Sequence, residues 1–350
     1  MKQFFSNALQ ALLDLYHPRT LREKGLLWSA LVGIVTLLVF IALLGFYWNE
    51  EPELFDVRAV AVAYTQDEDS KMVVGSIYTS TLIKIADTLL HKRGGYLTND
   101  VMPPGAWMDN MPNWEYGALV MLRDAAAALR NHFARSQSQS VENEDLAVAE
   151  PQFNYSNDSW IFPSTESEYE KGMAALQRYL RTVSEPGKQD IQFFARADNL
   201  RKYLEIAEKR LGSLSQRLSA SVGQVRINTD LANDPAAVKA TQTAEQVIVK
   251  TSWFEIDDVF YESRGATWAL LHILQAIEYD FENILSKKNA RVSLRQIIRE
   301  LKAAQEPTFS PVVFNGSGFG IFANYSLTMA NYIARANAAI IDLRALLEQG

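Results

Sequence analysis

Residues 25–48 read GLLWSALVGIVTLLVFIALLGFYW, twenty-four positions without a charge and dense in Leu, Val and Ile. As a helix rising about 1.5 Å per residue this run reaches roughly 36 Å, against a hydrocarbon core of roughly 30 Å. It reads as a transmembrane helix whose partner is the lipid bilayer. Trp28 near its start and Tyr47 and Trp48 at its end would place amphipathic rings at headgroup depth. Ahead of it stand Lys2, Arg19, Arg22 and Lys24 against Asp14 and Glu23, whereas Glu50, Glu51, Glu53 and Asp56 precede the first base beyond it, Arg58. Positive charge is retained inside, so residues 1–24 are expected as a cytoplasmic tail and 49–350 as an extracytoplasmic body. A cleaved signal peptide would have a shorter apolar core and a small-x-small end. The ending Gly45-Phe46-Tyr47-Trp48 points to an uncleaved anchor instead.

The body beyond residue 48 carries 30 Lys and Arg against 39 Asp and Glu, a net charge of −9. No basic face is available to neutralise phosphates, so nucleic acid is not an expected partner. The absence of cysteine excludes disulfides, thiolate metal sites and cysteine nucleophiles. Some 300 residues suffice for one large core or two smaller ones.

Apolar spacing through the body is helical. Phe4, Phe5, Ala8, Leu9, Leu12, Leu13 and Tyr16 share a face ahead of Pro18, as in an interfacial helix or a short tail helix. Val57–Tyr64 fits a strand or a stalk. Val74 to Leu89, closed by Gly94-Gly95, and Ala118 to Phe133 mark two helices around a loop rich in turn formers. Arg135–Glu150 reads as an exposed connection with helix at its end, and Thr165-x-x-Glu168 as a capping box. Phe193, Ala197, Leu200, Leu204, Ala207, Leu211, Leu214 and Leu218 then alternate steps of four and three. Such a seam suits an antiparallel neighbour in the same chain, or a partner chain meeting Leu200, Leu204, Leu211 and Leu214. Residues 228–250, polar around Asp234-Pro235, are the candidate internal boundary. Further helices follow at Ile256–Leu285, after a Ser293-x-x-Gln296 cap, and at Tyr325–Leu346. The predicted fold is all-α, a membrane helix followed by a large helical bundle. Trp107, Trp160 and Trp253 each precede a Tyr and then a Gly (Gly117, Gly172, Gly265), and Phe133 and Phe281 follow two of these glycines at equal distance. This echo suggests repeated helical hairpins in which Trp packs a loop onto the next helix.

Chemistry-bearing patterns are sparse. The four histidines are dispersed without paired spacing, so no metal or other cofactor is expected. Asn315-Gly-Ser-Gly-Phe-Gly320 lacks the Walker lysine and reads as a turn. The one catalytic candidate is Glu262, set among Glu255, Asp257 and Asp258 with Trp253, Phe254, Phe260, Tyr261 and Trp268 interleaved. Aromatic rings stack on sugars, and a glutamate against apolar rings can serve as a general acid. Glu262-Ser263 faintly resembles the Glu-Ser pair of lytic transglycosylases, without their downstream Gly-Leu-Met-Gln. Trp107, Asp109, Trp114 and Glu115 invite the same sugar-cleft reading.

Gly94-Gly-Tyr-Leu-Thr-Asn-Asp100, Met108-Asp-Asn-Met-Pro112 with Trp114-Glu115, Arg135-Ser-Gln-Ser-Gln-Ser140, Phe260-Tyr-Glu-Ser-Arg-Gly265 and Asn315-Gly-Ser-Gly318 are together distinctive. Over nearly the whole chain they resemble an uncharacterised family of Gram-negative inner-membrane proteins, catalogued only as a domain of unknown function. That resemblance implies a bacterial inner membrane and a periplasmic body, and brings no activity, cofactor or catalytic residue with it. The expectation is a membrane-anchored periplasmic binding or scaffold protein of envelope assembly, with a protein partner or a second copy of itself. The alternatives are a peptidoglycan-cleaving enzyme using Glu262 and a carrier of lipid or another apolar ligand in a bundle cavity.

Overall fold

The computed structural model describes residues 10, 14–66, 72–135, 142–184, 193–227, 246–308, 310, 312–317 and 320–349. The described part is mostly helical. A short helix α1 (Pro18–Lys24) precedes α2 (Leu26–Trp48), the long apolar helix, in which only Val32 is buried. Among the described residues α2 is the one helix long and apolar enough to cross a bilayer, a property that an anchor and a signal segment share. The amphipathic pattern of residues 3–16 falls almost wholly outside the described residues.

Residues 57–65, which sequence left between strand and stalk, form α3 (Val57–Thr65) because the Asp56 carboxylate accepts from the amides of Arg58 and Ala59. There follow α4 (Ser76–His91), α5 (Asn110–Ala128, extended by a wider turn over Leu129–Phe133), α6 (Glu144–Phe153), α7 (Thr165–Ser184) and α8 (Ala197–Ser219). The last group is α9 (Ile256–Asp280), α10 (Glu282–Lys287), α11 (Arg291–Ala303) and α12 (Tyr325–Glu348). Two predicted caps are corrected. At α7 the capping oxygen belongs to Ser164, which accepts from Ser167 N, while the Thr165 hydroxyl ties down the preceding loop at Ser156 and Ser159. At α11 the helix already starts at Arg291, so Ser293 lies inside it.

The all-α expectation also needs one addition. β1 (Gln224–Ile227) and β2 (Gln246–Val249) pair antiparallel, Gln224 opposite Val249, at the two ends of the candidate boundary segment. Residues 228–245 between them lie outside the described residues. On either side of this ribbon, α8 and α9 contribute to the same buried core.

The helices fall into two sets with the same order of contacts. In α4–α5–α6–α7, the first helix packs on the second and fourth and the third on the second and fourth; α8, α9, α11 and α12 repeat this. The second members, α5 and α9, run side by side in the same direction and cross at Gly117 and Gly265. Asn113 meets Asp258 at one end and Phe133 meets Phe281 at the other, ring centroids 5.1 Å apart. Gly117 and Gly265 are 148 residues apart, and so are Phe133 and Phe281. Two members of the echo thus mark equivalent helices of two four-helix units, whereas the third, Gly172, lies on α7 against Phe153. The tryptophans of the echo do not pack loops onto helices, since Trp107, Trp160 and Trp253 are all exposed.

Candidate functional site

The most heavily built polar arrangement lies where α2 ends and the chain enters the body. From Glu51 the chain runs along α9 in extended form, and alternate residues meet successive turns of that helix. Two extended residues advance about 6.6 Å and four helical residues about 6.0 Å, so Glu51, Glu53 and Phe55 come into step with Arg264, Trp268 and His272. The Arg264 guanidinium donates from Nε and Nη2 to the Glu51 carboxylate at 2.7–3.1 Å, and from Nη1 to the carbonyls of Ala304 and Glu306 at 2.9 and 2.8 Å. Trp268 Nε1 donates to Glu53 O at 3.3 Å. Phe55 N donates to His272 Nε2 at 3.0 Å, and the two rings stack at 3.8 Å.

His272 is fully buried and its Nδ1 lies 2.8 Å from Trp268 O. Because Nε2 accepts from Phe55, the neutral ring carries its hydrogen on Nδ1 and donates it to that carbonyl. Burial holds its pKa down at about 4. Three turns earlier on α9, near Glu51, the Tyr261 hydroxyl is pushed up to about 12, by burial first and by the Glu51 charge second.

The last turn of α2 is gripped from the other side. Trp48 covers Gly94, where a Cβ would stand 2.8 Å from the indole and where φ is +85°, so glycine is required twice over. Arg93 lies over the Tyr47 ring at 4.9 Å and pairs with Glu50. Gly45 faces Pro104 of the loop ahead of α5. The turn bearing Gly94 is held by the buried Glu115 carboxylate, which pairs with Lys92 and accepts from the amides of Leu97 and Thr98 at 2.9 and 2.8 Å. Glu115 thus belongs to this collar and not to a sugar cleft. Between collar and body opens a cleft of about 860 Å³, its apolar wall formed by Phe46, Leu54, Tyr261 and Pro307.

Glu262 lies elsewhere, on the opposite flank of α9. Both its oxygens face Arg217, one at 2.7 Å, and the pair raises the Arg217 pKa. The rings expected around it are dispersed. Trp268 is buried against Trp114, Phe260 packs on Tyr325, and Trp253 and Phe254 project outward. The geometry does not bring together a carboxyl group in an aromatic cleft, because helical periodicity sends neighbouring residues to different faces.

The partner surface proposed for Leu200, Leu204, Leu211 and Leu214 is corrected as well. All four are buried where α8 lies antiparallel to α12, with Arg201 reaching Glu348 at one end and Ser215 reaching Ala330 O at the other. In the 315–320 loop the Gly316 amide is consumed by Ala323 O, closing a narrow turn. The collar itself was missed from sequence. Its signal is the pairing of 51/53/55 with 264/268/272, two periods that are visible only when the segments are laid side by side.

No curated protein and no solved structure matches the chain. A family model matches residues 21–350, from just before α2 to the end of α12, and its description reads "Uncharacterized protein conserved in bacteria (DUF2333)". The chain belongs to this uncharacterised bacterial family, DUF2333.

Proposed function

We propose that this protein is a single-pass inner-membrane protein, with residues 1–24 cytoplasmic and the helical body in the periplasm. In this reading the body serves as a rigidly mounted binding or scaffold element in envelope assembly. The observation that carries it is the collar. Trp48, Glu51, Glu53 and Phe55 are packed parts of the body, and a flexible tether would not be built into α9 by a buried arginine and a buried histidine. Such a mount fixes the height and orientation of whatever the body holds. It also supports an uncleaved helix, since processing at the end of α2 would leave Gly94 without the ring that covers it.

The test has two parts. Full-length protein should stay with membranes after an alkaline wash, and a phosphatase fused after residue 350 should be active. A mature N-terminus beyond residue 48 would overturn the anchor. In a deletion strain, a Gly-Ser insertion after Pro52 should leave the body folded yet fail to restore envelope integrity, whereas restoration by the loosened variant would remove the mount from the function. Incubating the full chain and Glu262→Gln with cell-wall sacculi tests the enzymatic alternative. Soluble glycan released by the parent alone would replace the scaffold reading with a hydrolytic one. For the alternative of an apolar ligand, the cleft walled by Phe46, Leu54 and Tyr261 is the site to probe.

A further inference from the structure

The connections at one end of the body differ from those at the other. Extended residues 51–55 and helix α9 ascend together, so the start of α9 points back toward the end of α2. Phe254 is ten residues before Arg264, about 15 Å along the axis of α9, whereas Trp48 is three residues before Glu51, at most about 10 Å of chain. The start of α9 therefore reaches the level of the last turn of α2. The start of α5 lies beside it through Asn113 and Asp258. Pro104, in the loop ahead of α5, faces Gly45 directly. The loop ahead of α7 joins the same end through Asn99 Nδ2 donating to Ser159 O at 2.9 Å. The loop ahead of α12 joins it through Pro307 in the cleft shared with Phe46, and through Tyr325 beside Phe260.

These four stretches, 101–108, 159–164, 251–254 and 307–324, contain no charged residue. They present large apolar side chains outward: Met102 is 74% exposed, Trp107 67%, Phe162 99%, Phe254 85%, Ile321 99% and Phe322 69%. At the opposite end, residues 142–145 carry Glu142, Glu144 and Asp145 and residues 282–291 carry Glu282, Lys287, Lys288 and Arg291, beside the smaller exposed side chains Val73, Val74 and Val292. Isolated exposed apolar side chains are ordinary, but four uncharged stretches within the connections at one end, level with an apolar helix, are a feature that calls for a cover.

We infer that these four loops seat the body on the outer leaflet of the membrane that α2 enters, their apolar tips buried at the boundary of headgroups and acyl chains. This rests on the anchor reading of α2. Trp, Phe, Met and Ile are the side chains that gain by leaving water at this depth. The acids behind them, Asp109, Glu255, Asp257 and Asp258, disfavour an anionic surface. The lipid chemistry recognised is therefore zwitterionic and the contact apolar. A seated body cannot swing about α2, and its charged far end is the face offered to the periplasm.

The chain has no cysteine, so single substitutions carry a spin label uniquely. Full-length Met102→Cys, Phe162→Cys, Phe254→Cys and Phe322→Cys would be reconstituted in phosphatidylcholine vesicles, with Leu37→Cys within α2 and exposed Lys287→Cys at the far end as references. Relaxation by lipid-dissolved oxygen should exceed relaxation by a water-soluble nickel complex at the four loops and at residue 37, and the order should reverse at residue 287. Loop labels as open to nickel as residue 287, with residue 37 still in lipid, would overturn the seating and leave the anchor standing. A water-exposed residue 37 would overturn the anchor and the seating with it. In native membranes, loop labels reached by neither agent would indicate a protein cover and overturn the lipid assignment. Adding phosphatidylglycerol should not deepen the labels, and insertion that requires it would overturn the apolar basis.

Discussion

Gly117 and Gly265 each face the backbone of the other's helix at a distance that leaves no room for a side chain. A Cβ on Gly117 would stand 1.9 Å from Glu262 O, and a Cβ on Gly265 would stand 1.8 Å from Trp114 O. Residues 262 and 114 are themselves 148 apart, so the two contacts are equivalents across the α5–α9 crossing. The paired helices approach backbone to backbone along that line, and both four-helix sets contribute one helix to it.

Gly117→Ala and Gly265→Ala should therefore each destabilise the body although alanine favours helix. Separating α5 from α9 costs about 1–3 kcal/mol or more as overpacking, against a propensity gain of about 1 kcal/mol. Gly212 is the internal comparison, since its Cβ would meet only Asn337 Nδ2 at an ordinary 3.7 Å. Gly212→Ala should be neutral or stabilising by up to about 1 kcal/mol. Urea denaturation of the three purified variants checks the order, and equal effects would show that the crossing is not closely packed.

Removing the collar's buried charge should be costly. Arg264→Leu strands the Glu51 carboxylate and the carbonyls of Ala304 and Glu306, a loss of about 3–5 kcal/mol for a broken buried pair. Arg264→Lys should recover only part of this, because one ammonium cannot serve a carboxylate and two carbonyls in a fixed fork. Limited proteolysis should cut both variants between residues 49 and 56 faster than the parent.

Acid should loosen the same place. The folded pKa of His272, about 4, lies below its unfolded value of 6.5, so the neutral ring favours folding. Its contribution is complete above pH 6.5 and is lost as pH falls toward 4, up to about 3 kcal/mol at the limit. Asp280 acts in the opposite sense. Burial raises its carboxyl to about 7, so its contribution is greatest at low pH and is lost as pH rises through 7. The stability advantage of the parent over His272→Gln should shrink between pH 7 and pH 4.5, and the advantage of Asp280→Asn over the parent should grow between pH 4.5 and pH 8. A pH-independent His272→Gln difference would mean that the ring is not held neutral.

Charges placed in the α8 seam should unfold the body. Leu204→Asp and Leu211→Asp put an unpaired carboxylate where both leucines are fully buried. Alanine at either position should cost about 2–5 kcal/mol. Loss of helical circular dichroism in the aspartate variants is the expected reading; a folded variant would mean that the seam can open to solvent.

The sequence by itself determined the long apolar helix, the helical class of the body and the extents of most of its helices, because spacing of apolar residues over a few turns is a local property. It also held the equal spacing from Gly117 to Phe133 and from Gly265 to Phe281. What that spacing is for was decided only in three dimensions, where the two glycines meet. The same holds for the seam of α8, whose leucines suit a partner chain or α12 equally well; an apolar stripe encodes burial and not the identity of its cover. Glu262 shows the converse, since neighbours in sequence on a helix point to different faces and meet different partners. Arg264, Trp268 and His272 carry no local signal of a collar. Their role exists only once a segment more than two hundred residues away lies across them in matching register, and that match is a property of the packed chain.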